Sequence, residues 1–400
     1  MLFNPDDEKH SNCRVVDEMK KGLVIHEEDE EYLKADGTKI FVEYHSYPQY
    51  KDSEVIGAVV TFLDVTEKRK STEKIRYLSY HDVLTGLPNR RSYEEFIKKT
   101  DKHKNIPYSV IFADINGLKM TNDIFGHSVG DDLIIKASEI IKKCAGKNNF
   151  VARIGGDEFI VLLPKTDYEK ASEITAKIKD MISETKIAAI MCSISLGCDT
   201  KFDDKTNLEQ VVNAAENMMY RQKVMNRKTV NSNIINTIVS TLHERSPREL
   251  THSNNVSLLS AKIAKAMNLS ETEVRKIEMA GYLHDIGKIV LNNDILKKDI
   301  YSDEEREEFH LHPVHGYRIL NLFDDTLDIA EGVYSHHEKW NGKGYPKGLK
   351  GTEIPLIARI IAVAEAYDAL INSKTVKPIS KKQALDNIKS MAGIMLDPNI

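Results

Sequence analysis

The sequence predicts a multidomain fold, and three observations support this prediction. The chain has 400 residues, a length at which two to three domains, each with its own core, are typical. Residues 27–66 alternate between apolar and polar side chains as half-buried strands do, whereas residues 150–163 are typical of a hairpin of two apolar runs. Eight of the 14 histidines lie between His243 and His337, where an even spread would place about three. The sequence therefore changes character at least twice along its length.

The N-terminal region, residues 1–66, predicts an incomplete α+β sensor domain. Asp36-Gly37 is a strong hairpin signal between two alternating segments. The strings ADGTKIFVEY and GAVVTFLDVTE are similar to the C-terminal half of a PAS domain. The half that opens a PAS domain has no counterpart here, so either the chain is a fragment or the domain is degenerate, and we favour a fragment. His26 and His45 fit exposed strand positions better than haem ligands.

Residues 67–80 predict a helical connector between this region and the next domain. The segment is rich in charged residues, and Val65, Ile75 and Leu78 recur at helical spacing. Such spacing favours a short parallel coiled coil that passes a rotation or register change along the chain.

The histidine-rich region carries paired metal-binding residue types. His284-Asp285, His312-Pro313 and His336-His337 are followed by Glu365. Imidazole and carboxylate groups gathered in this way suit two divalent cations, which can clamp the attacking and leaving oxygens of a phosphodiester. The residues thus indicate phosphoester hydrolysis, provided that the fold brings them together.

Four strings of this region together resemble the HD-GYP phosphodiesterases, the branch of the HD superfamily that hydrolyses cyclic di-GMP. They are HDIGK (284–288), HPVHGYRIL (312–320), HHEKWNGKGYPKGLKG (336–351) and IPLIARIIAVAEAYDAL (354–370). The resemblance implies an all-α domain over residues 232–400 that holds two Fe or Mn ions, with Asp285 as their bridge. It also implies that Asp285 and Lys288 act in catalysis, since a lysine cation would offset charge on the phosphoryl oxygens. The implied metal ligands are His284, Asp285, His312, His336, His337 and Glu365, and the implied nucleotide contacts are Gly344, Tyr345, Pro346 and Lys374.

Three details of this region depart from the family pattern or leave a choice open. Glu365 stands where the family usually has Asp, and its longer side chain would shift or loosen that metal. Lys374 stands where the family often has Arg, and lysine cannot make a bidentate phosphate contact. Glu249 and His252 lie three residues apart on a predicted helix, so they share one face. For these two, ligation of a third metal and an ordinary polar helix face both remain open.

The middle region presents acidic residues beside glycines. Gly155-Gly156 permits a tight turn between two apolar runs, and Asp157-Glu158 follow it directly. Residues 108–119 predict another buried strand with Asp114 near its end. If the strands pair in one sheet, these carboxylates converge in an arrangement suited to Mg²⁺ on a nucleotide triphosphate.

Five strings of the middle region together resemble the GGDEF diguanylate cyclases. They are DVLTGLPNRR (82–91), DINGLKMTNDIFGHSVGDDLI (114–134), RIGGDEF (153–159), SISLG (193–197) and YRQKVMNRK (220–228). The resemblance implies an α/β domain over residues 81–230, with a central antiparallel sheet related to the nucleotidyl cyclases. It implies Mg²⁺ ligation by Asp114, the Ile115 carbonyl and Asp157, and catalysis by Asp157 and Glu158. The implied nucleotide contacts are Asn122 and Asp131 for guanine, and Lys119, Lys223 and Arg227 for the triphosphate.

Composition restricts the setting of the protein. The net charge is -5 with a sequence pI near 6.3, which argues against a nucleic-acid surface. The four cysteines form no C-x-x-C pair, as expected for reduced thiols in a cytoplasmic protein. No apolar run approaches the roughly twenty residues that span a bilayer. A membrane segment upstream stays open if the chain is a fragment.

These observations favour turnover of cyclic di-GMP in bacterial signalling. The expected ligands are GTP and cyclic di-GMP, and the expected assembly is a homodimer, because two GGDEF sites must meet to join two GTP molecules. Three alternatives stay open. In the first, the GGDEF domain binds GTP only to regulate the hydrolase. In the second, the HD-GYP domain is a cyclic di-GMP receptor and the cyclase is the working enzyme, and in the third the protein acts on another cyclic dinucleotide.

Overall fold

A computed structural model describes residues 2–3, 21–298, 300–372 and 379–400. The chain folds into two compact units, Met1–Glu95 and Phe96–Ile400. Among the described residues, no helix combines the length and the apolar character that a bilayer crossing requires.

The first unit contains a four-stranded antiparallel sheet. Its strands follow one another in chain order: β1 (Leu2–Phe3), β2 (Ile25–Lys34), β3 (Lys39–Lys51) and β4 (Glu54–Asp64). Gly37 has a φ of 82°, which glycine adopts without strain, so the predicted hairpin at Asp36-Gly37 is confirmed. Helix α1 (Thr66–Tyr80) coincides with the predicted connector. It buries none of its own side chains and exposes Ile75 and Leu78.

The second unit begins with an α/β part built around a second antiparallel sheet. Its strand order is β10-β5-β7-β6, and every pairing is antiparallel, as the sequence led us to expect. Strands β5 and β10 are buried along nearly their whole length, as expected for strands covered on both faces. The elements are α2 (Arg90–Thr100), which begins in the first unit, β5 (Tyr108–Ile115), α3 (Leu118–Phe125), α4 (His127–Ala145), β6 (Phe150–Arg153), β7 (Glu158–Pro164), α5 (Tyr168–Ser183), β8 (Lys186–Ile187), β9 (Ile190–Met191) and β10 (Ile194–Lys201).

A single long helix, α6 (Leu208–Arg245), leaves the α/β part and continues into the helical part. Its start is fixed by a capping box, in which the side chains of Asn207 and Gln210 each accept a hydrogen bond from the backbone N–H of the other residue. Because the helix has no break over its 38 residues, the last helix of one part is also the first helix of the next.

The rest of the second unit is helical. Its helices are α7 (Pro247–Ala266), α8 (Glu271–Leu283), α9 (Asn293–Lys297), α10 (Asp303–Phe309), α11 (His312–Leu320), α12 (Leu327–Tyr334), α13 (Leu356–Asn372) and α14 (Lys381–Met391). Short 3-10 turns at residues 286–290, 324–326 and 351–353 connect them.

The α/β part and the helical part share a hydrophobic core. Met120, Ile124 and Phe125 of α3 pack against a buried cluster formed mainly by the helical part, and Ala189 and Ile190 near β9 belong to that cluster. Helix α3 also contacts α11. Burial of apolar surface on both sides of this boundary stabilises one relative arrangement of the two parts.

Candidate active sites

Buried polar residues of the helical part gather where helices end or begin. Near the end of a helix, the backbone carbonyls of the last turn can accept hydrogen bonds from a neighbouring imidazole. His284 and Asp285 follow α8, His312 is the first residue of α11, His336 and His337 follow α12, and Glu365 lies within α13. Four of these, His284, Asp285, His312 and His336, are no more than 2% exposed.

These residues form two adjacent groups, and within each group the ligand atoms all lie within 4.8 Å of one another. Cluster A consists of Asp285, His312, His336 and His337, and cluster B consists of His252, His284 and Glu365. The fold therefore brings together every metal ligand that the resemblance implied for this domain, and His252 as well.

Asp285 faces both clusters with one oxygen each. Its Oδ1 lies 3.2 Å from Nε2 of His312 and 3.9 Å from Nε2 of His336. Its Oδ2 lies 3.1 Å from Nε2 of His284 and 3.7 Å from Nε2 of His252. Oδ1 is buried without a hydrogen-bond partner among the described residues. A carboxylate placed in this way suits the bridging role implied by the sequence.

The imidazole rings are held from behind by their Nδ1 atoms. A proton on Nδ1 that is donated to an oxygen leaves the lone pair on Nε2, which is the form that binds a metal. His284, His312 and His336 each contact the carbonyl oxygen three residues earlier, on Gly281, Phe309 and Val333, at 2.8, 2.6 and 2.5 Å. Nδ1 of His252 lies 2.7 Å from Oδ2 of Asp368.

The Nε2 atoms converge closely enough to need a cation. Nε2 of His312 lies 3.3 Å from that of His336 and 3.2 Å from that of His337, while Nε2 of His284 lies 3.2 Å from that of His252. In cluster A, where His336 and His337 are neutral, lone pairs that face each other at such distances repel. Two ligand atoms bound at about 2.1 Å to one tetrahedral ion would be about 3.4 Å apart. The donor set and its spacing thus fit divalent metals, which an HD domain implies.

The electrostatics keep most of these ligands ready for a metal. Burial holds the pKa of His336 and His337 well below the usual value, with repulsion from neighbouring histidines adding to the effect. Burial opposes ionisation of Asp285, but His284 and Lys288 outweigh it and hold the pKa of Asp285 well below its usual range. Burial also acts to lower the pKa of His284, yet attraction to Asp285 prevails and raises it to about 9. Metal binding must therefore displace a proton from His284.

Lys288 lies beside the bridging carboxylate. Its Nζ is 2.7 Å from Oδ2 of Asp285 and 3.1 Å from Oε2 of Glu249. Burial acts to lower the pKa of Lys288, but the two carboxylates outweigh it and raise the pKa, so the side chain stays charged. Glu249 thus pairs with the lysine, whereas His252 joins cluster B. A cavity of about 520 Å³ opens here, lined by Glu249, His252, Lys288 and Glu365 among others.

The loop after cluster A is tied down next to the metal ligands. The ring of Tyr345 stacks on His310 at 4.1 Å between centroids and lies 4.9 Å from His337. The carboxylate of Glu338, which is 3% exposed, accepts backbone N–H groups from three successive residues, Lys347, Gly348 and Leu349. Gly344 packs so closely that a Cβ would lie 2.3 Å from the backbone nitrogen of Lys339. Lys374, the remaining predicted nucleotide contact, lies outside the described residues.

The α/β part places its acidic residues at one end of the sheet. Asp114 of β5 is the pairing partner of Glu158 at the start of β7, and the N–H of Ile115 donates to the carbonyl of Asp157. A Cβ at position 155 would lie 2.4 Å from Oε2 of Glu158, so a larger residue there would displace the end of that side chain. The sequence interpretation that these carboxylates lie at neighbouring strand ends is thus met.

A lysine neutralises this acidic end. Nζ of Lys223, on α6, lies 2.7 and 2.8 Å from the two carboxylate oxygens of Asp114. Burial raises the pKa of Asp114. The charges of Asp157 and Glu158 raise the pKa of Asp114 further, whereas Lys223 acts to lower it. Among the described residues, the groups with ligand atoms within 4.8 Å do not include one at this sheet. The Asp114 carboxylate is therefore paired with an ammonium group of the chain itself.

The other predicted nucleotide contacts lie on helices around this end. Lys119 is exposed on α3, and Asp131 is exposed on α4. Asn122 has a buried side-chain oxygen without a hydrogen-bond partner among the described residues, and a Cβ on Gly130 would lie 1.8 Å from it, so glycine is needed beside Asn122. Arg227 pairs with Asp324 of the helical part at 3.2 Å, a contact that the sequence did not predict.

The sequence analysis did not identify two residues that hold the clusters and the neighbouring loop in place. Asp368 accepts hydrogen bonds from His252, Asn255 and Asn372, and Glu338 holds the loop described above. Asp368 lies three residues after Glu365, so the helical spacing itself could have indicated it. Glu338 follows His337 directly, but its three backbone donors become visible only in the folded chain.

Comparisons with known proteins match two successive parts of the chain. Residues 79–229 match the family described as diguanylate cyclase, GGDEF domain, and residues 229–400 match the family described as HD domain. The chain contains a GGDEF domain and an HD domain. The HD domain matches the helical part with clusters A and B, and the GGDEF domain matches the α/β part with the acidic sheet end.

Curated relatives match parts of the same two regions. A cyclic di-GMP phosphodiesterase of Thermotoga maritima is 40% identical over 153 residues, which are 37% of this chain and 42% of that protein. The diguanylate cyclase DgcM of Escherichia coli is 28% identical over 171 residues, 42% of each chain. This chain thus spans about two fifths of the length of each relative. The coiled coil and GGDEF domain of DgcB from Caulobacter crescentus, solved in complex with c-di-GMP, aligns with 40% of this chain and 88% of its own at 22% identity and a TM-score of 0.37.

Proposed function

We propose that this protein turns over cyclic di-GMP as a bacterial second-messenger enzyme. In this proposal the HD domain is of the HD-GYP type and hydrolyses cyclic di-GMP to the linear dinucleotide pGpG and to GMP. The GGDEF domain makes cyclic di-GMP from two GTP molecules. The carrying observation is the pair of histidine and carboxylate clusters that share Asp285 beside a cavity of about 520 Å³.

The hydrolase part of the proposal assigns a task to each group. Clusters A and B would hold two Fe or Mn ions, which when bound supply a Lewis acid for the phosphoryl oxygen and lower the pKa of a water. Asp285 would hold both ions in register. Lys288, whose charge is secured by two carboxylates, would offset negative charge on the phosphodiester. Tyr345, whose ring lies 4.9 Å from that of His337, would contact the nucleotide beside cluster A. A third ion at Glu249 is less favoured, because its carboxylate is engaged by Lys288.

The cyclase part of the proposal rests on the acidic end of the GGDEF sheet. Asp114, the Ile115 carbonyl and Asp157 would hold Mg²⁺ on GTP, and Glu158 would assist the second ion or the attacking hydroxyl. Lys223 and Lys119 would contact the triphosphate, while Asn122 and Asp131 would recognise guanine through its N–H donors. Each domain carries one such site, so synthesis requires a homodimer. The exposed Ile75 and Leu78 of α1 are suited to the predicted coiled coil between two chains.

Separate incubations test the two activities. The purified chain with Mn²⁺ and cyclic di-GMP should yield pGpG, and an Asp285→Ala variant with Mg²⁺ and GTP should yield cyclic di-GMP, both followed by chromatography. Failure of the first reaction with success of the second would favour the receptor alternative for the HD domain. Failure of both would contradict the proposal.

A second role for the GGDEF domain is favoured by its packing. Helix α3 carries Lys119 and Asn122 and contacts α11, whose first residue is His312 of cluster A. Its apolar side, including Phe125, lies against the core of the helical part. Arg227, a predicted triphosphate contact, is paired with Asp324 of that part. GTP that takes Arg227 from Asp324 would therefore change contacts on both sides of the shared core, which favours GTP as a regulator of the hydrolase.

This second role has its own test. In a Glu158→Gln background that cannot make product, GTP should change the KM or kcat for cyclic di-GMP hydrolysis. An added Asp324→Asn should weaken that response while basal hydrolysis persists, and Asp303→Asn, another exposed helical-part aspartate, should not. An equal response to GTP in all three proteins would remove the coupling from the account.

A further inference from the structure

The sheet of the first unit carries a cluster of histidine and glutamate side chains that neither active site uses. His26 of β2 and His45 of β3 are paired directly across the two strands. Side chains two residues apart on a strand point to the same face, so Glu43 lies on the face of His45. Ligand atoms of His26, Glu43 and His45 all lie within 4.8 Å of one another.

The distances within this cluster resemble the edges of a coordination polyhedron. Oε1 of Glu43 lies 3.1 Å from Nε2 of His26 and 3.5 Å from Nε2 of His45. Two ligands of a tetrahedral ion at about 2.1 Å are separated by about 3.4 Å. A second carboxylate is within reach, because Oε1 of Glu28 lies 3.7 Å from Nε2 of His26.

We infer that His26, Glu43 and His45 form a binding site for a divalent transition-metal ion on the sensor-like sheet. Two imidazoles with a carboxylate favour ions such as Zn²⁺, Ni²⁺ or Cu²⁺ over Mg²⁺ or Ca²⁺, which prefer an all-oxygen shell. The site stands on this geometry alone and does not depend on the cyclase or hydrolase proposals.

The surroundings allow an ion to enter. The side chains of His26 and His45 are 43% and 36% exposed, so solvent reaches both rings. A cavity of about 320 Å³ adjoins Glu28 and Glu43. The two rings are stacked at 4.0 Å with only 11° between their planes, so binding requires them to open by rotation about the terminal side-chain bond, which has a broad energy well. Lys68 lines the same cavity, and its charge opposes a cation.

Zinc binding to the full chain tests the inference. Clusters A and B are first weakened by His312→Ala in cluster A with His284→Ala in cluster B, and metal-free protein is then titrated with Zn²⁺ by calorimetry and by elemental analysis after dialysis. Adding His26→Gln with His45→Gln should remove one bound zinc per chain. Glu43→Gln, which keeps both imidazoles, should weaken that zinc by about tenfold or more, whereas Lys68→Met should strengthen it.

Matched controls keep the outcome readable. His127→Gln changes an exposed histidine outside the cluster and should leave the zinc count unchanged. Circular dichroism verifies that each variant is folded, and Glu43→Gln gives a test that leaves the stacked rings in place. Equal zinc counts and affinities in the background protein, the double histidine variant and Glu43→Gln would overturn the inference.

Discussion

Clusters A and B of the HD domain and the acidic sheet end of the GGDEF domain both bring polar groups close together, but they balance the charges of these groups in opposite ways. Both concentrate polar groups in a largely buried place. At the sheet end, Lys223 brings a cation to within 2.7 Å of Asp114, so the chain neutralises its own carboxylate. In the HD domain, Lys288 engages only one oxygen of Asp285, and the Nε2 lone pairs of His312, His336 and His337 face one another.

This difference teaches that the two sites depend on their ligands to different degrees. Lone pairs that face one another and a buried carboxylate oxygen without a partner are costly, and a bound divalent ion relieves that cost. Backbone carbonyls and Asp368 hold the imidazole rings of clusters A and B in place, so the two clusters are arranged for metal binding before an ion is bound. At the acidic sheet end, the proposed binding of Mg²⁺ and GTP must instead displace Lys223 from Asp114.

The largest expected effect comes from removing the shared carboxylate. His284→Ala with Asp285→Ala takes away one ligand of cluster B and the carboxylate that faces both clusters, so cyclic di-GMP hydrolysis should fall below detection. Chromatography of pGpG measures this. His243→Ala removes a histidine outside both clusters and should retain activity. Unchanged hydrolysis in the double variant would contradict the proposed role of clusters A and B in hydrolysis.

A smaller effect is expected at the sheet end. Lys223→Met leaves the largely buried Asp114 without its ammonium partner and removes the triphosphate contact proposed for Lys223, so synthesis from GTP should fall by about a hundredfold. Synthesis is measured in an Asp285→Ala background so that product accumulates. Lys228→Met, an exposed lysine on the same helix, serves as the control. Full synthesis in Lys223→Met would mean that the ion pair with Asp114 has no part in the site.

The smallest effect is expected from the loop beside cluster A. Glu338→Gln keeps the shape of the side chain but weakens its bonds to three backbone N–H groups, a change of about 1 to 2 kcal/mol. We expect kcat/KM for cyclic di-GMP to fall by about tenfold with the metal content unchanged. Glu307→Gln, an exposed residue of α10, should have no effect. A loss of bound metal in Glu338→Gln would show that this residue supports the clusters rather than the loop.

Local sequence carried much of this structure. The Asp36-Gly37 hairpin follows from a short string whose residue types leave few alternatives. The antiparallel arrangement of the GGDEF sheet was expected from the family resemblance, and the convergence of His284, Asp285 and His312 was expected only if the fold brought them together. His252 could be placed on a helix face, but only the fold decides that it meets His284 while Glu249 turns to Lys288.

Other features depend on tertiary packing, which periodicity does not encode. The apolar side of α3 is what any amphipathic helix would show, and nothing in its sequence says that the core of the HD domain covers Phe125. The pairing of Arg227 with Asp324 joins residues 97 positions apart, and the three N–H donors to Glu338 come from a loop. Such contacts are selected by the whole fold rather than by local propensity.

The central claim is that the HD domain holds two metal ions bridged by Asp285 and that both are needed to hydrolyse cyclic di-GMP. The direct measurement is a titration of the metal-free chain with Mn²⁺, in which bound ions and pGpG formation are followed together. The titration is done in a background of His26→Gln with His45→Gln, so that the cluster of His26, Glu43 and His45 does not add to the number of bound ions. We predict that hydrolysis appears as the second ion binds and that Asp285→Ala abolishes both binding and hydrolysis. Full activity with a single bound ion, or without any bound ion, would contradict the account.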